Sequence, residues 1–534
     1  MTTDLNLHDI QGNVLKTYAR KDFSYARYVL FGIKNAFEGR RFVTELIPII
    51  TTAAPWQIPG DDGDELPKPA VTTNIAFTYH GLKRLNLPEK SLHSFPEAFS
   101  MGMRERRDLL GDAGCSAPGN WDVVWNKKDE RVDIWLSING QNEKAIEVRY
   151  AEIQKVLANS NGGVIQLTGH RGDDGANDLA YQNAAALCDS EGKPTPKEHF
   201  GYTDGISNPF FEGTLTNPAY VLGSGKPTRK SPGSLSGWEP LETGEFIMGH
   251  RDEARELPDS PIPRLLSYNG SFLIYRKLHE NVGSFNRYIE EQGKKLPDGA
   301  EQVAAKFAGR WRNGAPITTF STEDDANKFV EKVRKGKIES EEAQGKIAKS
   351  IARYKYLKLI SEAVGFNYND DLAGGGCPLG AHIRRVNPRG ALEFGVKGAF
   401  DTPGALVNRR RLLRRGLPYG MSDENSGDDG NHGIIFMAIC ASIERQFEFV
   451  QQQWVNYGND FKIANEKDPL IGNHEADDGN WNGHMIFPAE PGSGRAPFFC
   501  SGIPRFVEVR GGGYFFLPSL TALRLIGKGI VDPT

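Results

Sequence analysis

Short blocks of alternating or continuous apolar residues, each followed by a longer block with apolar residues three or four apart, recur along this chain. Residues 25–33 (Tyr-Ala-Arg-Tyr-Val-Leu-Phe-Gly-Ile) are aromatic and β-branched and predict a strand, and residues 36–47 then carry helical spacing up to Pro48. A second strand is predicted over 73–79, running through His80-Gly81 into Leu82-Lys-Arg-Leu85, and a third over 131–136. A helix over 143–159 leads to a further strand at 163–167. This succession predicts an α+β sandwich of the ferredoxin-like kind.

The succession begins again in the second half. Residues 244–249 and 270–276 read as strands, 282–291 as a helix, and 433–443 as an apolar strand running into an amphipathic helix that reaches Trp454. No repeat is visible at the level of residue identity, but the order of elements is compatible with a second copy of the first fold. Between the halves, residues 223–237 are dense in Gly, Pro and Ser and mark a boundary. The expected domains are therefore residues 1–222 and 238–534. Residues 322–362 are helical in pattern, highly charged and poor in large apolar side chains, which predicts an inserted helical excursion with solvated faces.

Length and composition agree. A chain of 534 residues exceeds what one core usually holds, and 39% hydrophobic with 25% charged residues is a globular composition. The 64 Lys and Arg nearly balance the 68 Asp and Glu, for a net charge of −4, so no global field recruits nucleic acid or an anionic membrane. The apolar run at 433–443 is about half of the ~20 residues needed to span a bilayer. Cys115, Cys188, Cys377, Cys440 and Cys500 are odd in number and never arranged as C-x-x-C, which suits a reducing compartment. The opening residues do not read as a secretory signal, so cytoplasmic residence is expected.

Three segments place a reactive side chain among Gly and Pro. In Phe200-Gly-Tyr-Thr-Asp-Gly-Ile-Ser-Asn-Pro209, Asp204 is bracketed by Gly201 and Gly205, which allow close backbone approach to a flat ligand and fix the carboxylate in a turn. Gly374-Gly-Gly-Cys-Pro-Leu-Gly-Ala-His-Ile-Arg-Arg-Val-Asn-Pro-Arg389 presents His382 from a rigid, Gly-rich approach. Asn408-Arg-Arg-Arg-Leu-Leu-Arg-Arg-Gly-Leu-Pro-Tyr-Gly420 carries five arginines, Arg414 among them. Read singly, these are a turn, a core histidine and a basic patch. Together they offer a carboxylate, a histidine and an arginine. No phosphate-cradling Gly loop, G-x-S-x-G elbow or H-E-x-x-H is present.

In this order the segments resemble those of the dye-decolourising haem peroxidases, in particular the larger subgroup with a helical insertion. Gly201-Tyr-Thr-Asp-Gly205 is similar to the family's G-x-x-D-G signature, Cys377–Arg389 to its haem-ligand segment and Arg414–Gly420 to the segment with its distal arginine. Asp9-Ile-Gln-Gly12, Gly244-Glu-Phe246, Gly309-Arg-Trp311, Glu444-Arg-Gln-Phe447 and Asp468-Pro-Leu-Ile-Gly472 match as well. The resemblance implies two ferredoxin-like domains with haem b, one per chain, held mainly by the C-terminal one.

It also implies roles. His382 would be the axial iron ligand, with Asp468 as its carboxylate partner, Asp477 and Asp478 being nearby alternatives. Asp204 would move a proton between the oxygens of hydrogen peroxide, and Arg414 would stabilise the departing oxygen as a high-valent iron–oxo state forms. Ile434 and Phe436 would limit access above the iron, Arg310 would contact a propionate, and Tyr419 would be a surface radical relay for bulky dyes and phenolic donors. An aspartate shuttle, with a reference pKa of ~3.9, implies activity reaching into acid pH. Two other readings stay open: a haem storage or trafficking protein without turnover, and an arginine-rich nucleic-acid module at 409–415. A homodimer is expected from the general prevalence of twofold oligomers.

Overall fold

The computed structural model describes all residues except 1–4, 19–22, 57–66, 128–130, 215–220, 229–236, 369–370, 393–403, 423–425, 475–481, 490–491, 493 and 531–534. Its centre is one antiparallel sheet. Four N-terminal strands run in the order Val71–Phe77, Ile134–Gly140, Tyr25–Ile33, Val164–Gln166, with helices Ala36–Leu46 and Glu143–Asn159 connecting them in the β-α-β-β-α-β manner. The C-terminal strands repeat this plan as Leu413–Arg414 with Leu417–Tyr419, then Gly433–Cys440, Ser271–Glu280 and Val507–Leu517. The fold is thus α+β with two ferredoxin-like units. They join where Phe516 pairs with Phe77, and at the far ends Leu417–Tyr419 lies against Gln182–Ala185, which curls the sheet toward a closed barrel.

Strand periodicity divides the core. Val29, Phe31, Ile33, Phe272, Ile274, Tyr514 and Phe516 face the covering helices, whereas Tyr28, Leu30, Trp135, Leu273, Tyr275, Ile435 and Phe515 fill the space between the two units. Both faces are buried, so the strands read as continuous apolar runs rather than clean alternations. Helix starts follow the capping residues: Asn35 Oδ1 accepts the N–H groups of Phe37 and Glu38, and Asn142 Oδ1 that of Ala145.

The structure moves several expected elements. The strand expected at 131–136 begins at Ile134, because the Asp133 carboxylate turns to accept the Ile33 N–H and to meet His80. Residues 79–84 are helical, started by Thr78. Residues 244–249 are not a strand: Thr243–Glu245 form a 3₁₀ turn whose buried Glu245 pairs with Arg445 at 2.6 Å. The inserted excursion is a pair of helices, Glu323–Glu342 and Lys346–Val364, and in the first of them only Ala326 and Phe329 are buried. Of the Gly/Ser/Pro-rich stretch, residues 229–236 lie outside the described residues; on either side of them Lys226–Pro227 pairs with Trp238–Glu239.

Behind strand Gly433–Cys440 the chain forms two π-helical turns, Ile443–Glu448 and Val450–Val455, where an ordinary helix is expected. Such turns are rare and concentrate at functional sites. Here they carry Phe447, Val450, Gln451 and Val455 into the wall of the cavity that His382 lines.

Candidate active site

A cavity of about 340 Å³ opens between the C-terminal strands, the helix His382–Val386 and the π-helical turns. His382, Asp204, Arg414, Ile434, Phe436 and Arg310 all line it. Strand register explains part of this convergence. Ile435 and Met437 are buried in the inter-unit core, so Ile434 and Phe436 point the other way, into the cavity. Arg414 pairs opposite Ala438 on the same strand and is therefore held beside them.

His382 opens its helix, and its Nδ1 stands 2.8 Å from Asp468 Oδ2. Asp468 is fully buried. Its other oxygen accepts the N–H groups of Leu470 and Ile471 at 2.9 and 3.1 Å, so Asp-Pro-Leu-Ile is a turn built around the carboxylate. Burial pushes the Asp468 carboxyl up, but His382, Arg385 and the Ile471 N–H outweigh it and hold the group below the ordinary carboxylate range. An anionic acceptor makes Nδ1 the protonated nitrogen and leaves the Nε2 lone pair for a ligand in the cavity. Asp477 and Asp478, the alternative partners, lie outside the described residues.

Asp204 and Arg414 form a second half-buried pair. Arg414 Nη1 donates to Asp204 Oδ1 at 3.0 Å and Nη2 to the Ile206 carbonyl at 2.7 Å, while Asn208 Oδ1 accepts the Arg414 backbone N–H at 2.9 Å. The Gly205 N–H also donates to Asp204 Oδ1, and Gly201 and Gly205 have φ of +88° and +80°, values that side-chain-bearing residues rarely adopt. The glycine bracket is therefore a backbone requirement of this turn.

A third group extends the Arg310 expectation to two further arginines. Arg310, Arg389 and Arg411 are 7%, 2% and 4% exposed and line the same cavity. Among the described residues none of them meets a carboxylate. Arg310 and Arg411 donate to carbonyls, and Arg389 to the Val364 and Phe366 carbonyls and Ser207 Oγ. Burial lowers them to about 10, 9 and 10, and mutual repulsion lowers Arg389 further. Arg389 also sits at φ 55°, and Arg411 Nη2 is buried without a hydrogen-bond partner. Uncompensated buried cations are costly. Their arrangement calls for an anionic ligand.

Known proteins resemble this chain over most of its length. The family model described as "DyP dimeric alpha+beta barrel domain" matches residues 9–171. The chain is 25% identical to the dye-decolorizing peroxidase msp1 of Mycetinis scorodonius, over 98% of this chain and 88% of that one. It is 24% identical to the multifunctional dye peroxidase DyP2 of an Amycolatopsis species, over 97% and 95%. Among solved structures, an ancestral D-type dye-decolorizing peroxidase superposes with a TM-score of 0.68 at 26% identity, covering 98% of this chain and 99% of that one. Residues 9–171 thus match the family's barrel-domain model, and the whole chain is similar to dye-decolourising peroxidases.

Dye-decolourising peroxidases are haem enzymes, and the cavity fits that group on its own terms. It offers an imidazole nitrogen with a free lone pair, apolar walls from Ile434, Phe436, Phe447, Leu470 and Val455, and three buried guanidiniums suited to carboxylates such as propionates. One expectation fails. Tyr419 is not on the surface: it is the last residue of strand Leu417–Tyr419, 1% exposed, with the Lys277 ammonium 4.9 Å from its ring centre. The Pro-Tyr-Gly sequence resembles an exposed turn, but pairing of Tyr419 with Gly433 turns the ring into the inter-unit core.

Proposed function

We propose that this chain is a hydrogen-peroxide-dependent peroxidase that binds one haem b and oxidises dyes and phenolic donors. The observation that carries the reading is the meeting, in one cavity, of His382 backed by Asp468 with the Asp204–Arg414 pair. A haem carrier needs the first pair and has no use for the second.

When bound, haem supplies the iron at which the peroxide O–O bond is cleaved and through which donor electrons pass. The chain's own groups do the rest. His382 Nε2 would hold the haem iron, and Asp468 keeps the proton on Nδ1 and makes the ring more electron-donating. The Asp204 carboxylate would accept a proton from hydrogen peroxide and return it to the oxygen that leaves as water. Arg414 orients Asp204 and would offer fixed N–H donors to the charge that gathers on the departing oxygen. Arg310, Arg389 and Arg411 would hold the propionates, and Ile434 and Phe436 would narrow the approach so that bulky donors give up electrons from outside the cavity.

The test is the absorbance of the haem-loaded protein before and after one equivalent of hydrogen peroxide. A Soret band that shifts and returns on adding a phenol is expected; a band that peroxide leaves unchanged would leave the carrier reading. The proposal extends to cytoplasmic residence, supported by five scattered free thiols, and to a homodimer, to be read by light scattering.

A further inference from the structure

Two buried acids in the cavity wall have no part in the chemistry above. Glu198 and Glu280 both line the cavity, 7% and 4% exposed. Glu198 starts the turn that ends in Asp204: its Oε2 accepts the Phe200 N–H at 2.9 Å and its Oε1 the Tyr202 N–H at 2.6 Å. Glu280, the last residue of strand Ser271–Glu280, meets Glu198 side chain to side chain in the cavity wall. Its Oε2 is buried without a partner, and among the described residues neither acid forms an ion pair.

Two carboxylates this close and this buried cannot both be ionised, because neither solvent nor a cation offsets their repulsion. One proton between them turns repulsion into a short, charge-assisted O–H···O⁻ bond. Backbone donors decide where it sits. Glu198 receives two N–H bonds and is stabilised as the anion, whereas Glu280 Oε2 is buried with no donor. Burial pushes Glu198 up to about 6 and Glu280 well above the carboxylate range, with Asp204 adding repulsion to both. The other titratable groups facing the pair are Lys197, Tyr202 and Tyr419.

We propose that Glu280 is a neutral carboxylic acid at neutral pH whose O–H, donated to Glu198, holds Glu198 as the anchor of the Asp204 turn, so that both are positioning residues for Asp204. The inference rests on the reading of Asp204 as the proton-handling group.

Two measurements on the haem-loaded full chain test it. The infrared difference between the protein and its Glu280→Gln variant at pH 7 should show a protonated carboxyl C=O band that shifts in D₂O; its absence overturns the inference. In stopped flow, Glu280→Met, which fills the space without a donor, should slow the reaction with peroxide by about tenfold or more, whereas Glu280→Gln, whose amide N–H replaces the acid proton, should keep most of the rate. Equal rates for the two variants overturn the inference. Asp204→Asn, measured alongside, separates the two levels. If it loses the rate while the infrared band is absent, only the Glu280 assignment falls; if it keeps the rate, the role of Asp204 falls and the positioning inference with it.

Discussion

Replacing Asp468 with Asn removes one charge and puts two hydrogens where an oxygen was. Three hydrogen bonds depend on the fully buried carboxylate, at 2.8 Å from His382 and 2.9 and 3.1 Å from the Leu470 and Ile471 amides. If the Asn oxygen stays on the two backbone N–H groups, its amide faces Nδ1 and forces His382 into the tautomer with the proton on Nε2, which removes the lone pair offered to the cavity. If it flips, two amide N–H groups point at its NH₂. Converting charge-assisted bonds to neutral ones and creating one buried donor–donor contact should cost about 2–5 kcal/mol in all. Disturbing the partner of a metal-ligating histidine typically lowers metal-group affinity about 10–100-fold. Urea unfolding and haem titration measure the two effects. Unfolding free energy within about 0.5 kcal/mol of the parent, together with unchanged haem affinity, would refute the account of Asp468, since a surface substitution does no more than that.

Three further outcomes are expected. His170 is buried and held neutral, its pKa lowered to about 3 by desolvation and by Lys277; as an unfolded His is protonated below about 6.5, its stabilising contribution is complete above that pH and is lost as pH falls toward 3. Relative to His170→Leu, the parent should lose about 1.4 kcal/mol per pH unit between pH 6 and 4 in urea unfolding, and parallel curves would contradict this. Gly205→Ala places a side chain at φ +80° and should cost about 1–2 kcal/mol while slowing the peroxide reaction, with the resting Soret band unchanged. Tyr419→Phe should leave bulky-dye turnover within about twofold, because a buried ring beside an ammonium is a poor exit for an electron hole; a large loss would restore a relay through the interior.

What could be read from the sequence follows from how local each signal is. The strand 25–33 and the helix 143–159 coincide with their observed bounds, because a strand buried on both faces and a capped, amphipathic helix are written in consecutive residues. Asp204, His382 and Arg414 stood out because the glycines that shape their turns lie beside them. Asp468 was marked only as one member of a motif, and its 86-residue separation from His382 hides their contact. Arg389 ends the haem-ligand segment and Arg411 belongs to the run that reads as a basic patch, and neither stands out singly until the fold encloses it. Glu198 and Glu280 carry no local mark at all, since only the packing of the Asp204 turn against strand Ser271–Glu280 makes two acids share a proton. The π-helical turns were equally hidden, because their apolar spacing passes for that of an α-helix.

The central claim is that Asp204 handles the peroxide proton in a cavity where His382 holds the haem. The most direct measurement is the stopped-flow rate of the Soret change when hydrogen peroxide meets the haem-loaded parent and its Asp204→Asn variant. The account predicts an unchanged resting spectrum and a rate lowered by about 10²–10⁴-fold, the usual worth of a positioned proton carrier. A variant that reacts within about threefold of the parent would contradict it.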